Sequence, residues 1–287
     1  MNELTLESPT SHKATRGISH LGNGGNMKIA AVILAAGKGT RMAPRHQDFA
    51  GQGNEKGSDI PKVMFEMAGE PVIDYTVNYV KSSGINNVVL VVGYKKELIE
   101  EYFNESVKYA EQKQQLGTGH AVMMAKEILQ GKSEAVFVGY GDMPLFKTET
   151  IRKLIDEYEK EKPTIALLSV NFDDPIPWAF GRIIRDENRE VVANIEQKDC
   201  SEEQLKVKEC NTGLYIFDSE WLWNNIDSIK NENVQKEYYL TDLLKMAKEQ
   251  GKKVIALPVA NESEALGINT QEQLREAEAI LESRLAK

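Results

Sequence analysis

From Lys28 onward, short runs of β-branched and apolar residues alternate with longer stretches whose apolar side chains recur at helical spacing, and this alternation restricts the fold more than any other feature of the chain. KIAAVIL, NNVVLVVG and EAVFVGYG read as buried strands, because each is a nearly unbroken apolar run of the kind that a parallel sheet covered on both faces requires. Between them, EPVIDYTVNYVKSSG and GTGHAVMMAKEILQG read as crossover helices that each stop near a glycine. The half from Thr164 is richer in strands: TIALLSV, GRIIRD, EVVANIE, TGLYIFD and KVIALPV, followed by a closing helix, QEQLREAEAILESRLAK. The predicted class is α/β, with a mixed, mostly parallel central sheet and a smaller β-rich lobe.

The first 26 residues show neither periodicity and are rich in Ser, Thr, Asn and Gly, so a disordered tail over 1–26 and one folded domain over 27–287 are expected. With 41% hydrophobic residues in 287, the chain can bury a substantial core. Its net charge of -9 argues against a general nucleic-acid binder, which needs a basic face for phosphates. An anionic ligand must then be held by local cations, backbone amides or a metal. The two cysteines, Cys200 and Cys210, fit neither zinc-site spacing nor a disulfide framework. No apolar run reaches the ~18 residues of a membrane span, and the N-terminus lacks the apolar core of a secretory signal. A cytoplasmic protein is expected; oligomeric state is not legible.

The strongest local signal is VILAAGKGTRM, Val32 to Met42, a buried strand running into a glycine-rich turn that ends in arginine. Small residues at Ala35, Ala36, Gly37 and Gly39 let backbone amides approach a phosphate or base, and Lys38 and Arg41 add positive charge. The turn is not a Walker A loop, since Val32 and Gly39 stand where that motif needs Gly and Ser or Thr, and it is not GxGxxG. Taken alone it also fits a plain strand-to-helix turn. Tyr140-Gly141-Asp142 ends an apolar strand, where α/β sheets place ligands; Asp142 there suits either magnesium or a helix cap. QLGTG by itself reads as a helix start with Thr118 as N-cap, and Pro61-Lys62 as a surface turn.

LAAGKGTRM followed by PKVMFEMAGEPVIDYTV resembles the signature of the sugar nucleotidyltransferases, in particular the pyrophosphorylase domain of bacterial N-acetylglucosamine-1-phosphate uridylyltransferases. The resemblance continues in order through QKQQLGTGHAV, YGDMPL, FGRIIRD, IEQKD, ECNTGLYIF, EYYLTDLL and ALGINTQEQL, from about Ile29 to Glu278. It implies a Rossmann-like nucleotidyltransferase fold that transfers a nucleotidyl group from an NTP, UTP foremost, to a sugar 1-phosphate. By position, Leu34, Ala35, Ala36 and Gly37 would line the nucleotide site, with Tyr140 and Gly141 beside them, and Arg41 and Lys62 would act on phosphates. Gln112, Gly117 and Thr118 match positions that contact uracil; a side-chain amide offers both a donor and an acceptor to a pyrimidine edge. Asp142 and Asn269 would share Mg2+, and Gly181, Glu196 and Asn211 would meet the sugar, where the glycine leaves room for the ring. His120 and the EYYLTD segment read as framework. The alternatives are a related enzyme with another sugar phosphate or dTTP, and a non-catalytic nucleotide-sugar sensor.

Three features depart from the family. The insertion at 43–60 reads as a loop, either a tolerated surface segment or a lid that brings Arg45, His46 or Lys56 over the triphosphate. Bulky residues at Pro177, Trp178 and Phe180 precede Gly181 and either pack or reshape the sugar pocket. No hexapeptide repeat occurs, so the acetyltransferase function of the bifunctional enzymes is not implied.

Overall fold

The computed structural model describes residues 27–39, 60–178 and 180–286. The expected 1–26 tail, Arg41 and the insertion up to residue 59 lie outside the described residues. The apolar runs form the strands β1 (Ile29–Leu34), β4 (Asn87–Val92), β6 (Ala135–Tyr140), β7 (Ile165–Asn171), β10 (Glu209–Asp218) and β11 (Val254–Pro258). They are joined by β5 (Lys108–Glu111), by the hairpin β2 (Glu66–Met67) and β3 (Glu70–Pro71), and by a second hairpin, β8 (Arg182–Arg185) and β9 (Val191–Ile195).

Nine of the described strands make one sheet, whose main row runs β11-β7-β10-β6-β1-β4-β5. Pairing is parallel from β6 through β5 and between β7 and β11, whereas β10 is antiparallel to both β6 and β7. The β8–β9 hairpin hangs from the start of β10 through Cys210 opposite Arg182, and forms the small β-rich lobe.

Strict alternation along the strands sends side chains to two cores. Ala31, Ile33, Leu90 and Val92 face one side, where they meet α1 (Val72–Ser82), α2 (Lys96–Phe103) and α5 (Thr148–Glu161). Ala30, Val32, Val89 and Val91 face the other, covered by α3 (Thr118–Met123), α4 (Lys126–Leu129), α7 (Ser219–Asn225) and α8 (Asp242–Glu249). A short helix, α6 (Glu202–Leu205), follows the lobe, and α9 (Gln271–Leu285) packs Leu274 and Ala277 with Met67, Leu145 and Ile268 in a third cluster. Each fully buried aliphatic side chain of this kind contributes about 1.5–3 kcal/mol.

Two local expectations are corrected. GTGHAVMMAKEILQG is two helices rather than one, because Met124 and Ala125 bond three residues back, to Ala121 and Val122, and tighten the turn between α3 and α4. Thr118 is not an N-cap: Gly117 holds that position, and the Thr118 hydroxyl instead accepts from Leu240 N at 3.0 Å.

Candidate active site

The site opens at the carboxyl ends of β1, β4 and β6, where the chain leaves β1 between neighbours that it reaches in opposite directions. Three backbone bonds tie the loops together there: Ala35 N to Val91 O (2.8 Å), Gln112 N to Val92 O (2.8 Å) and Gly141 N to Leu34 O (3.0 Å). Space for a ligand is left above Gly37, where an added Cβ would meet nothing within 4 Å. Gly39 is at φ +64° with Lys62 Cβ occupying the space where a Cβ at 39 would lie, so a side chain there would both strain the turn and displace the lysine.

On one flank, Gln112 is buried and its amide is fixed by the loop it faces. Nε2 donates to Gly117 O at 3.0 Å and lies 3.0 Å from His120 Nδ1. Gly117 O can only accept, which sets the amide orientation, and burial lowers the His120 pKa, so its Nδ1 is available as an acceptor. The Gln112 Oε1 takes no hydrogen bond from the described residues and remains an acceptor for an N–H on a base. Gly117 sits at φ +109° with Tyr238 O 2.6 Å from where a Cβ would lie, a close approach that only glycine allows.

On the other flank, the Lys62 ammonium, at the start of a short 3-10 turn, donates to Asp142 Oδ2 and, at 2.9 Å, to Asn269 Oδ1. Asp142 comes from the end of β6, and Asn269 from far along the chain. The Asn269 loop is held by Ile268 N to Asp142 O (2.9 Å) and by Asn269 N to Gln273 Oε1 (2.8 Å). A carboxylate and an amide carbonyl thus converge on a single cation. Among the described residues no group of three or more His, Cys, Asp or Glu is placed to hold a metal. An oxygen pair of one anionic and one neutral donor fits a hard divalent ion that takes its remaining ligands from water and phosphate.

These two flanks enclose a cavity of about 410 Å³ lined by Leu34 to Gly37, Lys62, Gln112, Gly117, Thr118, Tyr140 and Asp142. Gly141 and Asn269 are not in this lining; Gly141 is tied to it through Leu34 O and Asn269 through Lys62. Hollows of about 680 and 550 Å³ elsewhere on the surface involve none of these groups.

Residues 31–206 match the family described as the MobA-like NTP transferase domain. The chain belongs to that family. Over 260 residues it is 42% identical to the bifunctional protein GlmU of Clostridium novyi (strain NT), covering 90% of this chain and 53% of that protein. It is 37% identical over 262 residues to the bifunctional protein GlmU of Geotalea daltonii, covering 91% of this chain and 54% of the relative. The NTP transferase domain therefore spans about half the length of the curated relatives it matches. Its fold superposes on that of a UDP-glucose pyrophosphorylase complexed with UDP-glucose with a TM-score of 0.70, at 19% identity, over 90% of this chain and 99% of that one.

In this NTP transferase domain the residues expected at a sugar gather on the lobe, next to Tyr140. Burial, then Glu196 and Asp142, raise the pKa of the Tyr140 hydroxyl, and the Thr118 side chain opposes them. The Tyr140 ring lies over Gly213, which at φ +82° has no space for a Cβ. Gly181 O accepts from Asn211 N at 2.9 Å. The Asn211 amide donates to the Tyr215 hydroxyl and accepts from Gly213 N at 3.0 Å, holding the register shift in β10. The volume a side chain at 181 would need is taken by the Asn194 amide. Glu196 Oε1 accepts from Asn194 Nδ2 (3.0 Å) and Thr241 Oγ1 (3.1 Å). Burial raises the Glu196 pKa, an effect that these two bonds oppose and nearby Asp199 and Asp242 reinforce. Trp178 and Phe180 stack on Phe172, at 5.3 and 5.8 Å between centroids, which accounts for the bulky residues before Gly181 as packing.

Sequence reasoning missed Asn194, Thr241 and Gln115, whose Nε2 reaches Ala36 O at 3.4 Å. The EYYLTD segment, expected mainly as framework, does open a helix, at Asp242. Tyr238 in that segment bonds Leu116 O and Gly119 N, at 2.8 and 2.7 Å, while Thr241 reaches Glu196, so one segment braces both the base loop and the lobe. The clustering of hydrogen-bonding side chains in EYYLTD was the available signal.

Proposed function

We propose that this domain transfers a uridylyl group from UTP to N-acetylglucosamine 1-phosphate, giving UDP-N-acetylglucosamine and pyrophosphate. The observation that carries it is the meeting of Lys62, Asp142 and Asn269 beside the glycine turn, at the mouth of the cavity that holds Gln112. The identity to GlmU proteins supports the choice of substrates.

The base enters between Ala36 and Gly117, where Gln112 Oε1 accepts the N–H of a uracil ring. The triphosphate runs over Gly37, whose open face admits phosphate oxygens close to the backbone. The sugar 1-phosphate supplies an oxygen that is already anionic near neutral pH, so attack on the α-phosphorus needs no general base, and the pyrophosphate leaves as the P–O bond to it breaks. Lys62 exchanges its bonds to Asp142 and Asn269 for phosphate oxygens and neutralises charge on the attacking and departing groups, as Arg41 does from the residues beyond the glycine turn. Asp142 and Asn269 would hold Mg2+, which when bound neutralises triphosphate charge. Glu196 and the remaining N–H of the Asn211 amide serve the sugar hydroxyls and the N-acetyl group. The free cysteines Cys200 and Cys210 support a cytoplasmic setting for the proposed reaction.

The test is pyrophosphate release by purified protein with magnesium, UTP and N-acetylglucosamine 1-phosphate, set beside dTTP and other sugar phosphates. Release strongest with the first pair supports the reading. Preference for another pair moves the substrate and keeps the chemistry, and no release with any pair overturns it.

A further inference from the structure

Asn194 occupies a position that an apolar residue would fill at less cost. Within β9 the two buried positions are Val191 and Asn194, and Asn194 is only 6% exposed. Its Oδ1 is buried without a hydrogen-bond partner among the described residues, the kind of orphan that interiors avoid. What the amide does offer is Nδ2, which donates to Glu196 Oε1 at 3.0 Å. The amide also lies beside Gly181, so close that any Cβ at 181 would overlap it. Thr241 donates to the same Glu196 oxygen from the head of α8, at 3.1 Å. Both donors fall on Oε1, and Oε2 takes no bond from the described residues. A carboxylate held in this way by one oxygen presents the other in a fixed direction.

We infer that Asn194 is a positioning residue for the sugar 1-phosphate: its amide, seated on Gly181, turns the Glu196 carboxylate so that Oε2 accepts from a sugar hydroxyl or amide N–H. The inference rests on the proposed role of Glu196 at the sugar and adds a physical reason for glycine at 181. A side chain at 181 would push the Asn194 amide away and release the carboxylate. Because Asn194 touches Glu196 and not the nucleotide cavity, its effect is confined to one of the two substrates.

The experiment compares Asn194→Leu, which keeps the volume and removes the N–H, with Asn194→Asp, which keeps the shape and removes it too. Glu196→Gln is run in the same assay. Wild-type protein must first turn over UTP and N-acetylglucosamine 1-phosphate. Both Asn194 variants, folded by circular dichroism, are expected to raise KM for the sugar phosphate about tenfold, the scale of one hydrogen bond to a charged group, with KM for UTP unchanged. An equal rise in both KM values together with a lower Tm would assign Asn194 to packing and overturn the inference. Unchanged sugar KM in both variants, while Glu196→Gln raises it, would overturn the inference and leave the role of Glu196 intact. If Glu196→Gln itself leaves the sugar KM unchanged, the sugar assignment fails and the inference falls with it.

Discussion

Lys62 illustrates how a single side chain is held for two tasks. Its ammonium closes the gap between Asp142 and Asn269, which gives Asp142 a counter-charge, while its Cβ fills the space where a side chain at Gly39 in the nucleotide turn would lie. Removing it leaves a carboxylate without its counter-charge and takes a cation from the phosphates. Lys62→Ala and Asp142→Ala are each expected to leave a folded protein whose kcat falls at least ~100-fold, the scale of losing one key electrostatic group. Circular dichroism and the pyrophosphate assay check this, and near-normal turnover by either variant would remove that residue from the mechanism. Glu196 carries a different consequence. Burial first, and then Asp199 and Asp242, raise its pKa above the ordinary value of 4.5, against the bonds from Thr241 and Asn194. The folded protein thus binds this proton more tightly than the unfolded chain. The stability it confers is complete below the ordinary carboxylate range and is lost as pH rises through the raised value. Glu196→Gln, whose Oε1 can still accept from both donors, escapes that loss. Thermal melts are expected to show a Tm difference that shifts in favour of the variant between about pH 4 and about pH 8. A difference independent of pH would mean that the carboxyl is not perturbed. The variant's weaker sugar binding in the same range would show a charge kept at the expense of stability.

At the scale of elements, the metal-side pair depends on the loop that enters α9. Thr270 caps that helix, its hydroxyl accepting from Gln273 N at 3.2 Å, and the Gln273 side chain returns to accept from Asn269 N at 2.8 Å. Ile268 N bonds Asp142 O at 2.9 Å, so the loop is sewn both to its own helix and to the end of β6. Asn269 is therefore aimed by a helix start, which would make the helix a distant determinant of affinity for the proposed metal. Thr270→Ala is expected to lower stability by about 1 kcal/mol, the usual value of an N-cap, as measured by urea unfolding. Gln273→Ala is expected to raise the magnesium concentration for half-maximal activity about tenfold, as loss of an outer-shell partner does, with little change at saturating metal. Unchanged magnesium dependence would show that Asn269 is aimed by its other bonds.

For the whole molecule, the sequence displays what local periodicity encodes and conceals what distant pairing decides. The β-branched runs of β1, β4 and β6 are legible because each is buried on both faces. The place of β10 is not, since its antiparallel insertion between β6 and β7 rests on pairs such as Tyr215 with Val138 and Ile216 with Ala166. The glycine turn, Gln112 and Asp142 are legible from their residue types and family pattern. Asn194 is not, because an asparagine in EVVANIE looks like any strand polar residue until its amide is seen on Gly181 and Glu196. The break between α3 and α4 escaped for the same reason, as the sequence there is uniformly apolar at helical spacing. The cavity shares its floor with the cores, since Ala35, Ala36 and Tyr140 belong to or pack on the apolar clusters that hold the sheet to its helices, whereas Lys62, Asp142 and Asn269 belong to none of them. Lys62 already neutralises Asp142 without a metal. Chelation is therefore expected to abolish pyrophosphate release while moving Tm of the substrate-free protein by less than about 2 °C, no more than the effect of 1 kcal/mol for a domain of this size. Differential scanning fluorimetry with and without chelator, run beside the activity assay, separates the two. Loss of both together would make the metal part of the fold, and the ammonium of Lys62 an inadequate counter-charge for Asp142.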